Sequence, residues 1–249
     1  MRRIILTAGM LAVAVPLTAK TMYMSPYAEV LANPARPADD RAKDAARKPE
    51  VVLQFMGVKP GQHIGDFVTG GGYFSRILAS AVGPKGKVYA FQPAEFIKFK
   101  PSYADAPNGI HAAFPNADPV ISPFDAPAFP EKLDAIVTIQ NFHDLYLKPW
   151  PAGEGDRAAA ALFAALKPGG VLVVVDHAAV AGSGTTASDS LHRIDPAAVI
   201  AALTKAGFKL EAKDMTTFAN VADPHTASVF APEIRGKTDQ FMLRFRKGK

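Results

Sequence analysis

The chain has 249 residues, of which 49% are apolar and 20% are charged, values typical of a globular protein with a sizeable core. This composition excludes a mainly disordered chain, a collagen and a coiled coil. The formal net charge is +5, and loss of Arg2 and Arg3 would leave 26 basic and 23 acidic residues, or +3. Such a weak excess predicts no nucleic-acid partner. Cysteine is absent, which excludes disulfides, thiol nucleophiles and thiolate metal sites.

The N-terminal segment has the features of an export signal. Arg2 and Arg3 precede an apolar run over residues 4–17. This run is shorter than a membrane-spanning helix and has the length of the apolar part of a signal peptide. An uncleaved membrane anchor is the alternative interpretation.

Small residues offer two positions for cleavage of this segment, after Ala19 or after Ala32. We therefore expect residues 1–32 to form a signal peptide and exported N-terminal segment, and residues 33–249 to form one domain. The mature protein is then expected to be periplasmic or secreted, without stable membrane insertion.

Hydrophobic periodicity and turn residues predict alternating strands and helices along the rest of the chain. The predicted helices cover residues 39–47, 49–55, 73–82, 155–166 and 196–206. The predicted strands cover residues 63–68, 87–91, 119–122, 133–139, 171–175, 208–214 and 240–246. Strands that alternate with helices indicate a parallel sheet covered on both faces, and the last two strands indicate an antiparallel edge. Ligands of such sheets bind beyond the carboxyl ends of the strands.

A glycine-rich turn, residues 66–73 (Asp-Phe-Val-Thr-Gly-Gly-Gly-Tyr), follows the first predicted strand and opens a helix. Glycines let the backbone approach a ligand closely, and the N–H groups of a helix N-terminus bind carboxylates and phosphates. Asp66 can accept a hydrogen bond from an ammonium or hydroxyl group. A tight turn without a ligand is the alternative.

The glycine turn resembles the first motif of class I S-adenosylmethionine-dependent methyltransferases, and residues 166–174 and 206–208 resemble later segments of that family. Together these motifs cover most of residues 50–246 in the family's order. Short motifs are also similar to those of a group of exported proteins predicted to be methyltransferases; they lie at residues 57–61, 70–73, 141–144, 176–177, 192–195 and 234–239. The resemblance implies an α/β, Rossmann-like methyltransferase fold: a mostly parallel seven-stranded sheet with an antiparallel edge strand and helices on both faces.

The resemblance also implies S-adenosyl-L-methionine as cofactor, with Asp66, Gly70 and Gly72 around its methionine part. The chain departs from the family at two positions. Val68 stands where the family has its first glycine. Gln92 stands where the family has the acid that holds the ribose hydroxyls, and a neutral amide makes weaker hydrogen bonds than a carboxylate.

Two further residues complete the cofactor contacts that the resemblance implies. Asp125 resembles the acid near the adenine amino group, although a turn residue ahead of Pro127 is an equally good interpretation. Asn141 directly follows the fourth predicted strand.

Titratable residues collect at the predicted ligand-facing ends of several strands. His143 and Asp144 follow the fourth strand, where this family positions the methyl acceptor. A neutral histidine can take a proton from the acceptor, and a carboxylate can orient the ring. His177 follows the fifth strand and His192 precedes a helix, so we predict all four as catalytic residues. Each histidine alone is more often structural, but the group indicates a site.

A metal site is the rival interpretation of this rim. His143, Asp144, Asp176, His177 and His192 are ligand types for zinc or another divalent ion. No compact metal-binding spacing appears in the sequence, so we assign no metal ligands.

The leading functional hypothesis is methyl transfer to a small-molecule acceptor, in which the enzyme holds the acceptor close and aligned. Arg235 and Lys237 can bind an anionic group, but a solvated hairpin is the favoured interpretation. Export argues against methyl transfer, because the cofactor is made in the cytoplasm. The alternatives are an exported small-molecule-binding protein with a degenerate methyltransferase fold and a metal-dependent enzyme that uses the His/Asp rim.

Overall fold

The computed structural model describes residues 25–249, and within them the strands form one sheet with helices around it. The strands are β1 (His63–Phe67), β2 (Lys87–Pro93), β3 (Ala117–Ser122), β4 (Leu133–Ile139), β5 (Leu166–His177), β6 (Lys209–Phe218) and β7 (Gln240–Arg246). The helices are α1 (Ala28–Leu31), α2 (Ala38–Arg41), α3 (Asp44–Arg47), α4 (Pro49–Met56), α5 (Tyr73–Val82), α6 (Ala94–Phe99), α7 (Asp105–Ala113), α8 (Glu154–Ala165), α9 (Ser188–Leu191) and α10 (Pro196–Lys205). Two 3₁₀ turns cover Pro101–Ala104 and Phe142–Tyr146.

The N-terminal export features lie mostly outside this range. The apolar run over residues 4–17 and the cut after Ala19 are not among the described residues, whereas Ala32 is. None of the helices within residues 25–249 has both the length and the hydrophobicity needed to cross a membrane.

The seven strands are arranged in the order β3-β2-β1-β4-β5-β7-β6. Strands β1 to β5 pair in parallel, while β7 runs antiparallel to both β5 and the edge strand β6. The predicted fold, a mostly parallel sheet with an antiparallel pairing at its edge, is therefore confirmed. The order reverses between β1 and β4, and the carboxyl ends of these two strands form the switch point where ligands bind in open α/β sheets.

Helix α5 shows how the sequence positions the switch point. Its bounds are those predicted, because Phe74, Ile77 and Leu78 share one face and are 6%, 0% and 0% exposed. The helix begins directly after Gly72, whose φ of +80° is a left-handed conformation that glycine adopts without strain. The turn that precedes α5 is therefore held against the sheet by a helix buried along most of its length.

The predicted helix over residues 39–47 was wrong in two respects, its continuity and its N-cap. The predicted helix over residues 39–47 is divided into α2 and α3, because the acids that would cap or continue one helix bind arginines instead. Asp40 accepts a hydrogen bond from Arg76 at 2.7 Å, and Asp44 accepts two from Arg36 at 2.6 and 2.9 Å. The N-cap of α2 is a proline and not an aspartate.

The sequence did not predict α6 and α7, and α7 lies in a stretch rich in Pro, Ala and Asp, residues 101–130. Helix α7 contains Pro107 in its first turn, where proline is tolerated because the helix does not need its N–H. The side chain of Ile110 is fully buried, so packing stabilises a helix that local propensity does not predict.

Candidate active site

A cavity of about 590 Å³ lies beyond the carboxyl ends of β1, β4 and β5, at the switch point of the sheet. This volume is in the range of small-molecule binding sites. Its walls come from the glycine turn, the segment after β4, the end of β5, helices α3 to α5 and the segment between β6 and β7. The lining includes Lys43, Arg47, Asp66, Val68, Thr69, Gly70, Gly71, Tyr73, Gln140, Asn141, His177, Phe230, Arg235 and Gly236.

The glycine turn presents two of its three glycines to the cavity. Gly70 and Gly71 line the wall, and a Cβ atom added to either would meet nothing within 4 Å. Gly70 has a φ of +52°, in the left-handed region. Gly72 is not on the wall; a Cβ atom there would collide with Ile110 and Arg76 at 2.4 and 2.8 Å. The absence of a Cβ atom at Gly72 allows close packing behind the turn, and its predicted ligand contact stays a prediction.

Asp66 is the one acid of the predicted cofactor set that lines the cavity. Its carboxylate accepts hydrogen bonds from Ser75 Oγ at 2.5 Å and from Thr69 Oγ1 at 3.3 Å. Burial raises the pKa of Asp66 to about 6, although the two hydroxyl groups act in the opposite direction. A cationic group in the cavity would therefore find a carboxylate that ionises close to neutral pH.

Gln92 does not reach the cavity wall, in contrast to the expectation of a ribose contact. The side chain is fully buried, and its Oε1 accepts a hydrogen bond from the Gly70 N–H at 3.1 Å. Among the described residues, its Nε2 has no hydrogen-bond partner. Gln92 thus supports the glycine turn from inside the protein.

Asp125 is also absent from the cavity lining, and the structure does not support the expected adenine contact. Its carboxylate binds Arg157 Nε at 2.8 Å. Asn141 does line the cavity, but its side-chain amide donates to the carbonyl groups of Ile139 and Val68 at 2.6 and 3.3 Å. Asn141 therefore ties the end of β4 to the glycine turn.

His143 lies beside the cavity and not on its wall. Its Nδ1 is 2.8 Å from Asp176 Oδ1, and its Nε2 is 3.2 Å from Asp144 Oδ1 and 3.3 Å from His192 Nδ1. Burial lowers the pKa of His143, but the carboxylates of Asp176 and Asp144 outweigh burial and raise it to about 10. Both ring nitrogens of His143 have polar partners and the residue does not line the cavity, so its position does not support the predicted proton-accepting role.

Asp144 and His192 accompany His143 and likewise do not line the cavity. The Nδ1 atom of His192 contacts both of the other residues, at 3.3 Å from His143 Nε2 and 3.5 Å from Asp144 Oδ1. The rim predicted from the sequence therefore consists of a three-residue cluster, the buried Asp176 that bonds to His143, and one separate histidine.

That separate histidine, His177, does line the cavity. Its Nδ1 is 2.7 Å from Thr238 Oγ1, which leaves Nε2 for a ligand. Burial lowers the pKa of His177 to about 4, so the ring is neutral at physiological pH. Of the predicted catalytic residues, His177 is the one whose position suits proton transfer to or from a molecule in the cavity.

Three cations line the wall, and two of them, Lys43 and Arg47, were not predicted from the sequence. Lys43 directly precedes α3 and Arg47 is its last residue, and Arg235, interpreted as part of a solvated hairpin, also lines the cavity. The guanidinium of Arg47 also stacks over the ring of Tyr73 at 4.6 Å. The spacing of Lys43 and Arg47, four residues apart and so on one helical face, was the available signal.

No protein-family model matches the chain, and no curated protein matches it in sequence. Solved structures do match the fold. A S-adenosylmethionine-dependent methyltransferase from Aquifex aeolicus is 20% identical, with a TM-score of 0.58 over 83% of this chain and 94% of that one. The [4+2]-cyclase SpnF is 17% identical, with a TM-score of 0.59 over 82% and 81%. Human N-acetylserotonin methyltransferase, solved with S-adenosylmethionine, is 17% identical, with a TM-score of 0.54 over 85% and 54%. At these identities the matches show a Rossmann-like methyltransferase fold.

Proposed function

We propose that the protein is an exported S-adenosylmethionine-dependent methyltransferase that acts on a small-molecule acceptor. The observation that carries this proposal is the turn at Gly70 and Gly71, which opens onto a 590 Å³ cavity at the N-terminus of α5. Structural neighbours support it, since one is described as S-adenosylmethionine-dependent and another was solved with that compound.

The residues on the wall fit the amino-acid part of the cofactor. The cavity-lining carboxylate of Asp66 complements an ammonium group, and the first N–H groups of α5 complement a carboxylate. Gly70 and Gly71 leave the space that a Cβ atom would fill. When bound, the cofactor supplies an electrophilic methyl group.

The acceptor would lie near His177. A neutral His177, held by Thr238 through Nδ1, can take the acceptor proton at Nε2. The walls position the acceptor, and close alignment contributes most of the rate in such a displacement. Lys43, Arg47 and Arg235 favour a ligand with an anionic group.

A second candidate is an exported small-molecule-binding protein of the same fold. Gln92 favours it, because the residue that would hold a ribose is directed into the glycine turn. One structural neighbour is described as a [4+2]-cyclase and not as a methyltransferase, so the fold alone does not establish methyl transfer.

Calorimetric titration of residues 20–249 with S-adenosylmethionine and S-adenosylhomocysteine tests the proposal. Gly71→Val fills the space at the turn, and Gly109→Val is the matched control, since both positions are open and neither has a left-handed φ. We expect one site per chain that Gly71→Val abolishes and Gly109→Val keeps. Unchanged binding by a folded Gly71→Val variant would overturn the assignment.

Turnover separates the two candidates. Release of S-adenosylhomocysteine is followed across phenols, amines and thiols, with circular dichroism as the check on folding. Turnover with a member of this panel supports the methyltransferase. Binding of the cofactor without turnover across the panel supports the binding protein.

A further inference from the structure

A cluster of three metal-ligating side chains lies beside the cavity and outside the proposed methyl-transfer site. His143 and Asp144 belong to the 3₁₀ turn after β4, and His192 is the residue after α9. One atom from each side chain, His143 Nε2, Asp144 Oδ1 and His192 Nδ1, lies within 4.8 Å of the other two. Residues up to 49 positions apart thus converge on one point, which no local sequence motif indicates.

The spacing of these atoms matches a tetrahedral ion. The three separations are 3.2 Å, 3.3 Å and 3.5 Å. Ligand atoms at ordinary zinc bond lengths in a tetrahedron are about 3.3 Å apart. Ligands at right angles on an octahedral ion at the same bond length would be only about 2.9 Å apart.

His143 also has the outer hydrogen bond that orients a metal-bound histidine. Asp176 is fully buried, and its Oδ1 is 2.8 Å from His143 Nδ1 while its Oδ2 accepts the His143 backbone N–H at 2.8 Å. A carboxylate on the far nitrogen fixes the ring so that Nε2 points into the cluster.

His192 lies on the solvent-exposed side of the cluster. Its φ of +53° is left-handed, and its side chain is 28% exposed, compared with 4% for His143 and 10% for Asp144. Its ring packs edge-on against Phe230, which lines the cavity, at 4.8 Å between centroids. An ion can enter from this side.

We propose that His143 Nε2, Asp144 Oδ1 and His192 Nδ1 bind one zinc ion, with a water or a ligand oxygen in the fourth position. Three protein ligands and one open position are the arrangement of catalytic zinc sites, whereas structural sites use four protein ligands. The site would lie against the cavity, since the rings of His143 and the wall residue His177 are 6.0 Å apart. The proposal does not depend on methyl transfer or on the cofactor.

Zinc titration of the chelator-treated protein, residues 20–249, tests the proposal by calorimetry and by metal analysis after dialysis. His192→Asn is the test variant and His225→Asn is its matched control. Both histidines are 28% exposed, both contact an aspartate and both have a left-handed φ, +53° and +59°. Asparagine tolerates this backbone conformation, so neither variant introduces strain.

We expect one zinc per chain in the wild type and in His225→Asn, and binding at least about tenfold weaker in His192→Asn. Zinc should raise the melting temperature of the first two proteins and not of the third. Asp144→Asn, which keeps the side-chain shape and removes the charge, should also lose the ion. Substituted Co²⁺ should give the intense visible absorption of a four-coordinate ion.

Two results would overturn the proposal. One is a folded wild-type protein that takes up no zinc at one equivalent, which leaves the cluster as a hydrogen-bonded network only. The other is equal zinc affinity in His192→Asn and His225→Asn, which places the ion elsewhere.

Discussion

The side chain of Gln92 accepts a hydrogen bond from the backbone N–H of Gly70 at 3.1 Å, which joins the end of β2 to the glycine turn from inside the protein. The family resemblance implies an acid at this position that faces the ribose of the cofactor. Here the side chain is fully buried and does not line the cavity. Gln92 therefore supports the glycine turn, and Gly70, not the Gln92 side chain, lines the cavity.

This relationship predicts that Gln92→Ala destabilises the protein. Loss of this hydrogen bond, together with the space left by a fully buried side chain, should lower the free energy of unfolding by about 1–3 kcal/mol, which urea denaturation measures. Gln62→Ala is the control, because Gln62 Oε1 also accepts a backbone N–H, from Lys59 at 2.8 Å, at an exposed site where water can replace it. Equal decreases in the free energy of unfolding in the two variants would show that the Gln92 hydrogen bond contributes no more to stability than the exposed one.

The elements that the sequence predicts well are those in which local and tertiary signals agree. Helix α5 has an apolar face and glycines at both ends, and its bounds were predicted correctly. Helix α7 depends on the burial of Ile110, which no local pattern shows. The site follows the same rule: the turn at Gly70 was predicted from its motif. The inward direction of Gln92 and the meeting of His143 with His192 depend on packing between distant segments.

Val68 is a β-branched residue with a φ of +70°, where the family has glycine. A side chain in this left-handed conformation costs roughly 1–2 kcal/mol. Val68→Gly should relieve this strain but lose apolar burial, since Val68 is 4% exposed. Val68→Ala loses nearly the same burial and keeps the strain. We therefore expect the Gly variant to be more stable than the Ala variant by about 1 kcal/mol in urea denaturation, and the reverse order would contradict the strained conformation.

Asp66 predicts a specific dependence of stability on pH. Burial raises its folded pKa from the ordinary value of 3.8 to about 6, so the folded protein binds more protons than the unfolded chain between these values. The contribution of Asp66 to the free energy of unfolding is fully present below about pH 4. It falls by roughly 3 kcal/mol as the pH rises through 6. Asp66→Asn should remove this part of the pH profile of urea unfolding. If the pH dependence of unfolding is the same in Asp66→Asn as in the wild type, the pH dependence comes from another titratable group.

If the chain is cleaved after export, the contacts of the described N-terminal residues fit a cut after Ala19 better than a cut after Ala32. The Tyr27 hydroxyl donates to the Val58 carbonyl at 2.9 Å, and Val30 and Leu31 pack against the core. A cut after Ala32 would remove all of these contacts. We expect residues 33–249 to be less stable than residues 25–249 by about 2 kcal/mol or more. Equal stability of the two chains would remove this preference, and N-terminal sequencing of exported protein identifies the cut directly.

The last prediction concerns the base. If His177 takes the acceptor proton at Nε2, His177→Asn should lower kcat by roughly 10²–10⁴-fold, the contribution of a positioned general base. Asparagine can keep the hydrogen bond to Thr238 that Nδ1 makes at 2.7 Å, so the wall should be little disturbed. Thr238→Val, which only releases the ring, should have a smaller effect on kcat. Calorimetry should give unchanged affinity for S-adenosylhomocysteine in both variants, because the glycine turn and Asp66 are intact. The rate is followed as S-adenosylhomocysteine release with an acceptor found in the panel of phenols, amines and thiols. A folded His177→Asn variant with full kcat would exclude His177 as the base.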